Sequence, residues 1–162
     1  MPNPLVTQHY PDDFGIASFV FTGALINDPS AILYADRALV IDQIVVGVHA
    51  VGTSSGSGAL SFEVSNSCIG TSGNSIGVVT VDGANVTAGD HVILDGVGTT
   101  VYKYTAGVAA ACTGCTQLKW LNATNTTIDN VVPAGSWLIV DSTGTTTGAR
   151  VTIQVRYRSR QA

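Results

Sequence analysis

Residues 150–160, RVTIQVRYRSR, alternate without a break. Val151, Ile153, Val155 and Tyr157 fall on one side, and Arg150, Thr152, Gln154, Arg156, Arg158 and Arg160 on the other. A period of two belongs to a β-strand, whose successive side chains point to opposite faces. The strand therefore has an apolar edge for a core and a basic edge for a contact surface. The stretch before it prepares this end of the chain. Val131 and Val132 run into Pro133-Ala134-Gly135, a turn signal, because Pro presets φ and Gly supplies a positive one. Trp137 to Val140 is a short apolar run with a β-branched end, and residues 143–148 form a small-residue loop. The whole segment reads strand, turn, strand, loop, strand.

The same reasoning carries back along the chain. Strands are expected over 16–21, 31–34, 39–51, 60–64, 76–81, 91–94, 101–104 and 118–121. The run at 39–51, LVIDQIVVGVHAV, is apolar on both faces, interrupted by Asp42 and Gln43. It fits a strand buried on both sides or covered on its second face by another subunit. Residues 60–64 place Leu60, Phe62 and Val64 inside and Ser61 and Glu63 outside. Asp82-Gly83 and Asp95-Gly96 read as hairpin turns. Residues 108–111 are the only helix-like patch, too short for a helix. About nine short strands at near-regular spacing mean a sandwich or barrel. The fold class is all-β, a single-domain β-sandwich, with a jelly roll fitting the strand number best. An immunoglobulin-like sandwich comes second, because the order of Cys68, Cys112, Cys115 and Trp120 is not the one it wants. Residues 1–14 hold Pro2, Pro4 and Pro11 and read as an extended arm, or as a disordered tail. Residues 15–162 form the sandwich domain.

Charge is sparse and uneven. Charged residues are 11% of the 162, against ~25% in ordinary globular chains. Net charge is −4, and the four Arg from Arg150 onward leave −8 for everything before them. The basic edge is thus either a solvated outer strand or a stripe that docks on an acidic protein surface. A nucleic-acid partner is not expected, because the domain is acidic overall. No apolar run reaches the length of a membrane span, so no membrane is expected. The start has neither a cationic nor an apolar signal region, and the product is expected in the cytoplasm where it is made.

No catalytic constellation stands out. His9, His49 and His91 are single and far apart, without the paired histidines of a metal-binding jelly roll, so no metal and no cofactor is expected. Cys112-Thr113-Gly114-Cys115 lacks the second pair of a zinc ribbon and the helix of a thioredoxin site. A local disulfide, two free thiols in a turn, or a bridge from Cys68 to one of the pair all remain open. The aspartates sit mostly at turns, where Asp accepts from backbone N–H groups. No G-x-S-x-G elbow or phosphate-binding loop occurs. Three Asn-x-Thr sequons, at Asn85, Asn122 and Asn125, are expected by chance in so Asn- and Thr-rich a chain. Tyr102 and Tyr104 share one side of their strand. With Trp120 and Trp137 they either pack at a core or interface or line a carbohydrate-binding face.

The short Pro-containing start, the charge-poor Gly/Thr/Val-rich body, the LVIDQIVVGVHAVG run and VVPAGSWLIVDSTG before an Arg-rich alternating strand together resemble the small β-sandwich structural proteins of tailed bacteriophages. Head decoration (cement) proteins carry the likeness furthest. The resemblance implies a jelly roll with no catalytic activity, made in the host cytoplasm and carried on the capsid surface of the virion. It implies a homotrimer that clamps neighbouring copies of the major capsid protein. In this setting Arg150, Arg156, Arg158 and Arg160 are expected to meet acidic capsid loops, since guanidinium forks pair well with carboxylates. Leu39, Ile41, Val45, His49, Tyr102 and Tyr104 are expected at the subunit interface. The alternative is a carbohydrate- or receptor-binding head of a phage fibre or tail protein, read from Tyr102, Tyr104 and Trp120. An enzyme is the third class.

Overall fold

A computed structural model describes residues 14–22, 30–51, 58–68, 74–119, 130–143 and 148–159. Eleven strands occur among them: β1 (Phe14–Thr22), β2 (Ser30–Tyr34), β3 (Leu39–Ala50), β4 (Ala59–Ser65), β5 (Asn74–Thr80), β6 (His91–Leu94), β7 (Tyr102–Thr105), β8 (Val108–Ala111), β9 (Val131–Val132), β10 (Trp137–Thr143) and β11 (Arg150–Ser159). They form two antiparallel sheets. The seven-stranded sheet runs β1-β11-β3-β6-β7-β8, with β9 pairing the start of β3, and the four-stranded sheet runs β2-β10-β4-β5.

The alternation that makes these segments strands also makes the core. From the larger sheet, Ile41, Ile44, Val46 and Val48 of β3, Val92 and Leu94 of β6, and Val151, Ile153 and Val155 of β11 point inward. They meet Leu60 and Phe62 of β4, Ile76 and Val79 of β5, and Leu138 and Val140 of β10 in one apolar cluster. The chain is therefore a single-domain β-sandwich. Each such side chain contributes about 1.5–3 kcal/mol by leaving water. Pairing across long sequence distances holds the frame. Asn130, fully buried, donates from Nδ2 to the carbonyl of Ile41 at 2.9 Å, and Ile41 N donates to the Asn130 carbonyl at 2.9 Å.

Most of the expected strands are found within a residue or two of their expected ends. Phe14, assigned to the arm, opens β1; the rest of the arm lies outside the described residues. Residues 108–111 are a strand rather than a helix-like patch. Ala106 and Gly107 both take positive φ, 47° and 86°, and join β7 to β8 with Thr105 opposite Val108. Two positive-φ residues in a two-residue loop make the hairpin turn that matches strand twist. Of the strand expected over 118–121, the described residues Leu118 and Lys119 are not in a strand. Thr116 makes one bridge to Val78, Leu118 enters the core, and Trp120 lies outside the described residues.

Asp82-Gly83 turns the chain but closes no hairpin, since β5 and β6 lie in different sheets. Asp82 Oδ1 accepts from Ala84 N, Asn85 N and Asn85 Nδ2 at 3.1, 3.0 and 2.9 Å, which ends the strand and redirects the chain to the other sheet. Ser61 and Glu63, expected in solvent, are 6% and 8% exposed. They lie on the side of β4 opposite Leu60 and Phe62, where the paired Ile139 is buried as well. There Ser61 Oγ sits 3.0 Å from Glu63 Oε1 and 3.2 Å from Ser75 Oγ, so burial is matched by hydrogen bonding. Leu39 and Ile41, expected at a subunit interface, belong to the chain's own core, because the inward side of β3 is theirs. Of the cysteine arrangements left open by the sequence, the structure holds the local disulfide Cys112–Cys115, with Cys68 an exposed free thiol.

Candidate interaction face

The outward side of the seven-stranded sheet gathers most of the residues singled out from the sequence. Register fixes which side chains are neighbours. One row runs Ser18, Gln154, Val45, Ile93, Tyr102 and Ala111 across β1, β11, β3, β6, β7 and β8. The next runs Val20, Thr152, Gly47, His91, Tyr104 and Ala109 across the same strands. Ile16, Arg156 and Gln43 form a third at the β1 side. His49 joins this face, its Nε2 lying 2.7 Å from Thr152 Oγ1. Thus Val45, His49, Tyr102, Tyr104, Arg150 and Arg156 share one surface although β3 and β11 are about a hundred residues apart in the chain. Arg160 lies outside the described residues.

The basic edge of β11 carries an internal counter-ion. A register shift between Arg156 and Tyr157 sets two β3 residues, Asp42 and Gln43, beside the Arg pair. Asp42 Oδ1 lies 3.3 Å from Arg158 Nε. Burial pushes the Asp42 carboxyl above its ordinary range, and the charges of Arg158 and Arg156 pull it back only in part. Its other oxygen, Oδ2, is buried with no hydrogen-bond partner among the described residues. Arg158 is therefore held by an ion pair within the fold. Arg150 and Arg156 stand at exposed positions on the outward face.

The aromatic end of the face is held from behind. Tyr104 stacks on His91, ring centroids 5.2 Å apart and planes 12° from parallel. Asp90, immediately before β6, is buried. It accepts from Thr87 N at 2.9 Å and from the Thr105 hydroxyl, and its Oδ2 lies 3.4 Å from Lys103 Nζ. Lys103 Nζ also donates to the carbonyl of Asn85 at 2.6 Å. Burial alone raises such a carboxyl, but the bonds from Thr105 and Thr87 and the Lys103 charge outweigh it and hold Asp90 below its ordinary range. This bracket ties the start of β6 to the end of β7 and so fixes His91 against Tyr104.

A second brace was invisible to motif reading. Gln117 Oε1 accepts from Asp95 N, Gly96 N and Leu118 N at 2.8, 3.1 and 3.1 Å, and its Nε2 donates to Asp95 Oδ1 at 3.1 Å. A buried Gln on an irregular segment thereby sets the β6–β7 loop. No spacing rule marks a Gln twenty-odd residues from the loop it holds; only its place in a polar break between apolar runs hints at it.

Trp137 does not join the tyrosines. It lies in the other sheet, against Tyr34 with ring centroids 4.7 Å apart. The outward face of the larger sheet can pair carboxylates through Arg150 and Arg156 and pack flat groups against Tyr102, which is 47% exposed. Comparison of the chain with protein-family models, with curated proteins and with solved structures finds no match in any of the three.

Proposed function

We propose that the chain is a non-enzymatic structural protein of a bacteriophage particle, a decoration protein that docks on the outside of the capsid against the major capsid protein and stabilises its lattice. The observation that carries this reading is the outward face of the seven-stranded sheet. It puts exposed cations beside exposed apolar groups, Ile16 at 69% and Val20 at 68%, on a rigid two-sheet frame. Guanidinium groups recognise acidic loops, and apolar neighbours add the contact area that a lone charge lacks. Weak contacts of this kind become strong when repeated over a lattice.

The proposed frame is a jelly roll. With β7, β8 and β9 set aside, the sheets run β1-β11-β3-β6 and β2-β10-β4-β5. Along the chain these strands alternate between sheets except at β4 and β5, which pair with each other, the distribution that a long hairpin rolled onto itself gives. Co-sedimentation with decoration-free particles of the encoding virus tests the function: the protein is expected to pellet with them and to saturate. Protein left in the supernatant at every particle concentration would remove the reading.

A second reading rests on Tyr102, Tyr104 and His91 at the β7 end of the same face. Stacked rings at a sheet surface suit a sugar ring, as in a fibre or tail head. Glycan-array binding that is lost on Tyr102→Ala would favour it over capsid docking.

A further inference from the structure

Strand β1 ends the seven-stranded sheet, and among the described residues it is paired along one edge only, to β11. Open edges are ordinarily blunted by charge, proline, shortness or a bulge, because their free N–H and C=O groups invite another chain. β1 has none of these. It is nine residues long, FGIASFVFT, with no charged residue and no proline, and its register with β11 runs from Phe14 to Thr22 without a shift. The other sheet-ending strands differ: β8 has four residues, β2 has five, and β5 is followed along its edge by the Thr116 bridge to Val78.

The side chains of β1 also leave burial incomplete on both faces. Ile16 and Val20 are exposed outward, and Phe19 and Phe21 are only partly buried at the rim of the core. The sequence of the strand is self-complementary about Ser18. If a second β1 is laid antiparallel with Ser18 opposite its own copy, Ile16 meets Val20, Ala17 meets Phe19 and Gly15 meets Phe21. Directly opposite residues of an antiparallel pair point to the same face. On the core side each large ring therefore faces a small residue. On the outward side Ile16 faces Val20 on either side of the Ser18 pair, and no charge opposes another anywhere in the pair.

We infer that β1 is a self-association edge: a second copy of the chain adds to it antiparallel, with the two-fold axis at Ser18, and continues the seven-stranded sheet across the dimer. This goes beyond the capsid reading and does not depend on it. It places even-numbered assemblies where the resemblance implies a trimer. The contact is isologous, so it closes at two copies along this edge and does not propagate.

The test uses the full chain with Cys68→Ser, which removes the exposed thiol. In that background Ser18→Cys is expected to convert most of the protein to a disulfide-linked dimer under mild oxidation. Cα atoms opposed in an antiparallel pair stand ~4.5–5.5 Å apart, within the ~4.4–6.8 Å that a disulfide spans. Val20→Cys, whose copies would lie four positions out of register, is expected to stay unlinked. As a second measurement, Ser18→Lys and Ser18→Glu are each expected to weaken the dimer several-fold by light scattering, and an equimolar mixture to restore it. A monomeric mass for the unmodified chain at all concentrations would overturn the inference. So would cross-linking through Val20 in preference to Ser18, or a mixture no more dimeric than its components.

Discussion

The ring of Tyr157 occupies the place where a side chain at Gly15 would project: a Cβ there would run into Tyr157 Cζ and stand 2.6 Å from the hydroxyl oxygen. The two residues are register partners on β1 and β11. Gly15 is thus required by close approach of a neighbour, not by backbone angle. Gly15→Ala forces the ring or the edge strand to shift and is expected to destabilise the protein by about 1–3 kcal/mol, the usual cost of overpacking. In a Tyr157→Ala background the same substitution should cost much less, and urea melts of the four proteins in this cycle measure the difference. Equal costs in both backgrounds would show that the ring is not what excludes the methyl group.

Asp90 should behave as a carboxylate that the fold needs ionised. Its pKa is held below the ordinary value of 3.8. A depressed group contributes stability above its unfolded pKa and loses it as pH falls through the folded one. Wild-type stability is therefore expected to fall below about pH 4, and Asp90→Asn should flatten that part of the profile. At pH 7 the substitution should cost about 2 kcal/mol, the scale of charged hydrogen bonds lost in a buried site. Chemical denaturation across pH checks both statements.

Asp42 carries the opposite sign. Its pKa is raised from 3.8, chiefly by burial, despite Arg158 and Arg156. Folding then favours the protonated form, so the contribution is fully present below the unfolded pKa and is lost as pH rises through the folded one. Asp42→Asn is expected to leave stability at pH 7 unchanged or raise it by up to about 1 kcal/mol, because desolvation outweighs the ion pair. A loss comparable to that of Asp90→Asn would show that the Arg158 contact outweighs the burial.

Salt should separate the two components of the outward face. Pairs between exposed Arg and acidic loops are screened, with a Debye length of ~8 Å at physiological ionic strength. Occupancy on particles should fall as sodium chloride is raised from 50 to 500 mM, while the melting midpoint of the free protein stays nearly constant. Occupancy indifferent to salt would assign docking to Ile16, Val20 and Tyr102 rather than to Arg150 and Arg156.

Much of the frame is legible in the sequence, and the reason is local. Alternation in β11 and β4 needs only neighbouring residues, so strand positions can be read directly. Which sheet a strand joins cannot. Asp82-Gly83 looks like a hairpin signal, yet the path of the chain beyond it depends on Asp82 capping a turn that leads to the other layer. The Ala106-Gly107 turn escaped because Ala rarely takes positive φ, and four small residues after it show no period. On β3 both faces are apolar, so composition alone could not assign Leu39 and Ile41 to the core and Val45 to the outside; the register with β11 and β6 does. The Asp90–Lys103 bracket and the Gln117 brace are tertiary contacts that no spacing announces.

The most direct test of capsid docking is co-sedimentation of wild-type protein and an Arg150→Ala/Arg156→Ala variant with decoration-free particles, after circular dichroism has shown that both are folded alike. The wild type should pellet to saturation, and the variant should need at least several-fold more protein for the same occupancy. Equal occupancy of the two proteins, or a wild type that never pellets, would contradict the account.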